Sequence, residues 1–109
     1  MANSTIPGGV TMEPIWVLEA TYAPDAAQMR APFRAEHLAR IARLRREGTI
    51  LEAGAYLDVS TSIVLFRAES EEAALALVRQ DPYVREGVWV ELRVKPFARV
   101  ALAEEGSGA

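Results

Sequence analysis

The feature of this sequence that most limits its fold is the order in which strand-like and helix-like segments follow one another. Strand-forming residues predominate over 15–22, 49–56, 62–67 and 88–94, and helical spacing over 32–47 and 70–80. This β-α-β-β-α-β order predicts an α+β, ferredoxin-like domain, in which a four-stranded antiparallel sheet carries two helices on one face. A chain of 109 residues has room for only one such core.

Proline, glycine and serine mark the ends of the predicted helices. Pro32 suits the first turn of a helix, and Gly48 suits the position just after its last turn. Ser70, which precedes two glutamates, is typical of a helix N-terminus. The predicted limits are a flexible extension over 1–14, a folded domain over 15–102 and a flexible tail over 103–109.

The composition excludes several kinds of chemistry. The chain has no cysteine, which excludes disulfides, iron–sulfur clusters and thiol nucleophiles. Since a domain that folds without disulfides is typical of a reducing compartment, we expect it to be cytoplasmic. One histidine without cysteine also argues against a transition-metal site, so no metal is predicted. The longest apolar run, 73–78, is far shorter than the about 20 residues that span a membrane, so no membrane partner is predicted.

The net charge of −3 argues against nucleic acid as a partner, because phosphate binding needs a basic surface. Six of the 12 basic residues nevertheless lie between Arg30 and Arg46. We interpret this cluster as the solvated side of a helix, with Arg40, Arg43 and Arg46 on a flank turned away from the apolar stripe.

One face of the predicted sheet carries more apolar side chains than an ordinary solvent-exposed surface. Strand alternation turns four residues of the last strand toward the helices: Val88, Val90, Leu92 and Val94. The opposite, uncovered face then carries Ile15, Val17 and Trp89 among charged residues. Scattered apolar residues are common on surfaces, but an apolar patch is typical of an interface. We therefore predict a homodimer that packs the uncovered sheet faces together.

His37 is the only histidine, and helical spacing places it within an apolar stripe that includes Phe33, Ile41 and Leu44. A buried imidazole needs a partner for its N–H group. The stripe alone favours a structural core histidine over a functional one.

Asp81 precedes Pro82 and is typical of a turn or a helix cap. In the predicted fold the two helices lie side by side, so an aspartate after the second helix can approach a histidine in the first. A carboxylate that accepts the imidazole N–H fixes its tautomer and raises its basicity, as a general base requires. Both a capping role and a functional role stay open for Asp81.

Further side chains are candidates for holding a substrate beside His37. Arg34, and Arg30 with it, are predicted to bind a substrate carboxylate. Candidate hydroxyl groups in the same pocket are those of Ser62, Tyr22, Tyr56 and Tyr83.

Four segments, in this order, resemble the YCII-related (YciI-like) family. They are Arg34-Ala-Glu-His37-Leu38, the stretch 47–54, Asp81-Pro82-Tyr83 with Gly87, and Val94-Lys95-Pro96-Phe97. The resemblance covers about residues 15–100 and implies a ferredoxin-like fold assembled as a dimeric α+β barrel. It also implies that His37 and Asp81 are a catalytic pair that works without a cofactor, so we predict that the two side chains touch. One branch of the family removes chloride from a chlorinated hydroxyhydroquinone, whereas most members have no assigned reaction.

The loop at 56–61 is shorter than in many family members, so no substrate is inferred from the resemblance. Two functions are consistent with the sequence. The first is a cofactor-independent lyase or isomerase that acts on a small cyclic or aromatic acid through His37 and Asp81. The alternative is a non-catalytic dimeric module that binds a small ligand or only assembles.

Overall fold

The structure, a computed structural model, describes residues 6–103. Its elements are the strand β1 (Val10–Tyr22), the helix α1 (Ala26–Met29), a 3₁₀ turn (Ala31–Phe33), α2 (Arg34–Arg46), β2 (Ile50–Ala55), β3 (Thr61–Phe66), α3 (Glu71–Val78), α4 (Pro82–Arg85) and β4 (Trp89–Leu102). Within this part of the chain, no helix has the length and apolar character needed to cross a membrane. All of the predicted tail except Ala103 lies outside the described residues, as do residues 1–5.

The four strands form one antiparallel sheet in the order β2-β3-β1-β4. The helices pack on one face of it. Leu44 of α2 and Val78 of α3 join Leu18 and Phe66 of the sheet in one buried cluster. The α+β, ferredoxin-like fold predicted from the order of the elements is confirmed.

The predicted helix boundaries are close to those of the structure. Gly48 follows α2 with φ at +81°, a conformation that favours glycine, and Ser70 caps α3 by accepting the backbone N–H of Ala73. The second predicted helix ends at Val78 rather than at residue 80. Pro82 begins α4, because a proline at the first helical position leaves no N–H unpaired.

Residues 10–14 belong to β1, so the predicted flexible extension is wrong for them. They pair with residues 98–102 of β4, which likewise continues beyond its predicted end at residue 94. The two segments form an antiparallel ribbon beyond the part of β1 that pairs with β3. Pro14 and Pro96 do not interrupt the pairing of β1 with β4. Each lies where its strand has one unpaired edge, and proline has no N–H to leave unsatisfied there.

Trp89 faces the helices, so its predicted place on the uncovered sheet face is wrong. The pairing of β1 with β4 shifts by one residue beside Tyr22, which makes Val90 an extra residue in β4. This β-bulge reverses the alternation at the start of the strand, and Trp89 is 4% exposed whereas Val90 is 59% exposed. Leu92 and Val94, beyond the bulge, pack against the core as predicted.

Candidate functional site

His37 lies in α2 and Asp81 caps α4, and their side chains are in direct contact. His37 Nδ1 is 2.8 Å from Oδ1 and 2.9 Å from Oδ2 of Asp81. Both residues are buried. Asp81 Oδ1 also accepts the backbone N–H of Tyr83, which makes Asp81 the N-cap of α4. One carboxylate therefore both caps α4 and contacts His37.

The contacts of Asp81 determine which nitrogen of His37 carries the proton. An ionised carboxylate only accepts hydrogen bonds, so the neutral imidazole in this contact is protonated on Nδ1 and has its lone pair on Nε2. Within residues 6–103 nothing hydrogen-bonds to Nε2, and that atom is not fully buried. His37 therefore has an available basic nitrogen on the side of the ring away from Asp81.

Arg40 is a third member of this cluster, so its predicted place on the solvated side of the helix, away from the apolar stripe, is wrong. Its Nη1 donates to Asp81 Oδ2 at 3.1 Å, and its Nη2 donates to the backbone carbonyl of Leu77 at the end of α3. Burial lowers the pKa of the Arg40 guanidinium from its ordinary value, and the Asp81 charge opposes this shift. A signal was present in the sequence, because a residue three positions after His37 lies on the neighbouring row of the same helix.

Aromatic rings fix the plane of the imidazole. The Tyr83 ring stacks on His37 with centroids 3.8 Å apart and planes at 7°. Trp89 packs edge-on against His37 at 5.4 Å, and Tyr22 contacts both Tyr83 and Trp89. Burial raises the pKa of the Tyr83 hydroxyl, so this group stays protonated at neutral pH. His37 is thus held both by its hydrogen bond and by the packing of its ring.

A cavity of about 290 Å³ borders His37. Arg30 and Arg34 line it, and its lining residues, all within the described chain, include no Asp or Glu. Neither arginine forms an ion pair with a carboxylate of residues 6–103. Aliphatic side chains such as Ile41 and Val64 cover much of the remaining wall. The cavity is therefore positively charged and largely apolar, which suits an anionic ligand with an apolar body.

The remaining candidate side chains also line this cavity. They are Tyr22, Tyr56, Ser62 and Tyr83. Ser62 Oγ donates its hydrogen to the backbone carbonyl of Gly54 at 2.9 Å. The Ser62 hydroxyl can therefore accept a hydrogen bond from a ligand but has no hydrogen left to donate to it. In the described part of the chain, no group of three His, Cys, Asp or Glu side chains is arranged to hold a metal ion.

We expect Asp81→Asn to lower the free energy of unfolding by about 3 kcal/mol, because it leaves the largely buried Arg40 without its carboxylate. Urea denaturation measures this change. The matched control is Asp25→Asn, an exposed position without a side-chain cap bond, for which the change stays within about 0.5 kcal/mol. Equal stability of the two variants would show that the Asp81 cluster does not hold the helices together.

Comparisons with known proteins identify the family of this chain. Residues 15–98 match the model of the YCII-related domain. Protein YciI of Escherichia coli O6:H1 is 36% identical over 96 residues, which cover 79% of this chain and 98% of that protein. An uncharacterized protein of Haemophilus influenzae is 33% identical over 95 residues, which cover 78% of this chain and 97% of that protein.

A solved structure shares the fold. It is the 5-chloro-2-hydroxyhydroquinone dehydrochlorinase of Burkholderia phenoliruptrix AC1100, in complex with 2,5-dihydroxybenzoquinone. The TM-score is 0.66 and the identity 23%, over 74% of this chain and 90% of that one. The family match over most of the folded chain, together with relatives similar along nearly their whole length, shows that this chain belongs to the YCII-related family.

Proposed function

We propose that this protein is a cofactor-independent acid–base enzyme of the lyase or isomerase type, with a small cyclic or aromatic acid as its substrate. The observation that carries the proposal is the His37–Asp81 contact at the wall of a positively charged cavity. Membership of the YCII-related family supports it, because the sequence resemblance implies the same pair. The absence of cysteine supports the further proposal that the protein works in the cytoplasm.

His37 acts as the general base through Nε2. Asp81 accepts the Nδ1 proton, so the lone pair of the neutral ring on Nε2 takes a proton from the substrate. The Asp81 carboxylate then stabilises the imidazolium ion. Return of the proton to a different substrate atom gives an isomerisation. If a leaving group departs instead, it takes the electron pair of its own bond to the substrate, and the reaction is an elimination.

Arg34, with Arg30, binds the carboxylate of the substrate. Their uncompensated charges support an anionic ligand, and guanidinium groups bind carboxylates with two parallel hydrogen bonds. Tyr83 and Ser62 contact polar groups on the substrate ring. A cavity of about 290 Å³ is at the small end of ligand pockets and suits a single ring. The ligand in the dehydrochlorinase complex, 2,5-dihydroxybenzoquinone, is also a single ring.

A non-catalytic module that binds a small ligand is the second candidate, and the packing of the pair favours it. Asp81 caps α4, and the His37 ring stacks on Tyr83, so each side chain has a structural role without any reaction. The two candidates differ in whether a bound acid exchanges a hydrogen with solvent.

We expect the protein to exchange an acidic carbon-bound hydrogen of its bound acid with solvent. Ligands are first selected from aromatic and lactone acids by the rise in melting temperature, and exchange is then followed in D2O by proton NMR of the ligand. His37→Gln keeps a polar side chain but removes the base. We therefore expect this variant to bind the acid, and to exchange the hydrogen of the bound acid at least about 100-fold more slowly than the unmodified protein.

The controls separate binding from catalysis. Arg34→Gln is expected to weaken binding of the acid about tenfold or more, because a charge-assisted hydrogen bond is lost. Arg45→Gln removes a charge from the same helix outside the cavity, where Arg45 pairs with Glu52, and is expected to leave the affinity unchanged. If the His37→Gln variant still exchanges the hydrogen at the original rate, the proposed acid–base enzyme is contradicted. If the unmodified protein binds the acid without exchange, the non-catalytic binding module is favoured.

We also propose that the protein is a homodimer that packs the uncovered sheet faces together. This face, opposite the helices, carries the apolar side chains Val17, Ile63, Leu65 and Phe97. Its charged side chains pair within the protomer: Glu13 with Arg67 and Arg99, and Glu19 with Arg93 and Lys95. Because these charges already have partners, covering the face leaves little charge uncompensated.

Size-exclusion chromatography with light scattering at micromolar concentration is expected to give twice the chain mass of 11.9 kDa. Leu65→Lys places a charge at the centre of the proposed interface and is expected to give monomers. The control Ala76→Lys, on the exposed side of α3, is expected to stay dimeric. A monomeric unmodified chain would refute the dimer, and a dimeric Leu65→Lys variant would refute this interface.

A further inference from the structure

Arg40 has no part in the mechanism proposed above, yet it is among the most buried arginines of the site. Its side chain is 12% exposed, contacts Asp81 and is not among the residues that line the cavity. We propose that Arg40 is a positioning residue that compensates the charge of Asp81, so that His37 is kept as an uncharged base. The proposal rests on the proposed role of His37 as a base.

The two terminal nitrogens of the Arg40 guanidinium bind groups at the ends of two different helices. Nη1 donates to Asp81 Oδ2, and Nη2 donates to the carbonyl of Leu77 in the last turn of α3. A planar guanidinium held at both ends has little freedom to turn away from the carboxylate. The other oxygen of Asp81 accepts the Tyr83 backbone N–H, so the carboxylate is fixed in orientation while His37 Nδ1 lies against both oxygens.

Charge balance gives Arg40 its effect on His37. A buried carboxylate is costly unless an opposite charge or several donors compensate it. Arg40 supplies a permanent positive charge, because a guanidinium is not deprotonated in proteins. With Arg40 present, Asp81 needs only the neutral Nδ1–H of His37. Without Arg40, an imidazolium ion is the one group in contact with Asp81 that can supply the missing positive charge.

The other charged and titratable groups around His37 do not replace Arg40. They are Arg34 on α2, Arg30 before the 3₁₀ turn, Tyr22 on β1 and Tyr83 on α4, all of which line the cavity. The two arginines add positive charge on the cavity side and make no ion pair with Asp81. The Tyr83 hydroxyl is neutral at pH 7, because burial raises its pKa, and Trp89 on β4 has no titratable group. Arg40 is thus the cation in direct contact with the carboxylate.

A purely structural role for Arg40 is the competing explanation, because the residue also ties α2 to α3. That role predicts a lower melting temperature for a variant and no change in the protonation of His37. The charge-balancing role predicts that the imidazole takes up a proton at higher pH when Arg40 is neutralised. The two roles therefore differ in an NMR titration.

The titration is unambiguous because the chain contains one histidine. We expect the pH midpoint of the His37 ring signals to rise by about one unit or more in Arg40→Gln. Arg40→Lys keeps the charge and is expected to stay within about half a unit of the unmodified chain. Arg45→Gln removes a charge of the same helix that pairs with the exposed Glu52, and it is expected to leave the midpoint unchanged.

An unchanged midpoint in folded Arg40→Gln, or an equal rise in Arg40→Lys, would overturn the inference. If Arg40→Gln does not fold, the unmodified chain and Arg40→Lys decide the question: the imidazole must be neutral at pH 7.5 in both, and a charged ring in either would overturn it. Hydrogen exchange into a bound acid is a separate readout. Its absence in the unmodified protein, together with the expected titrations, would refute the proposed enzyme and leave the charge balance at Asp81 intact.

Discussion

The buried carboxylate of Asp81 is the group on which the packing of the helices and the chemistry of the site both depend. It receives hydrogen bonds from two side chains of α2, His37 and Arg40, and from the backbone at the start of α4. Arg40 extends the same network to the end of α3. Because a buried charge is stable only when it is fully compensated, these contacts also fix how the three helices lie relative to one another.

The same network leaves one side of the imidazole available for chemistry. Asp81 occupies Nδ1 of His37, and the Tyr83 ring holds the plane of the imidazole. Within residues 6–103 Nε2 then has no hydrogen-bond partner, and His37 lines a cavity that Arg34 makes positive. A fold that uses a histidine–carboxylate contact for stability therefore also has the arrangement of a general base, and the two roles need not compete.

Much of the fold and the centre of the site could be predicted from the sequence, because both depend on regular spacing. Helical periodicity turned His37 inward. The order of the elements allowed Asp81 to approach it, and the resemblance to the YCII-related family made Asp81 its partner. Arg40 was missed because its partners lie about 40 positions away and spacing alone does not show which row of a helix meets another helix. The single inserted residue at Val90 reversed the face of Trp89, and such a bulge leaves no signature in an alternating pattern.

The central claim is that Asp81 holds the Nδ1 proton of His37 and leaves Nε2 as the base. The nitrogen-15 chemical shifts of the histidine ring, measured above the pH at which the imidazole loses its charge, report this tautomer directly. The account predicts a protonated Nδ1 and an unprotonated Nε2, both in the free protein and in Arg45→Gln. A neutral ring with its proton on Nε2 would contradict the account, because Nδ1 would then have no hydrogen to donate to the carboxylate.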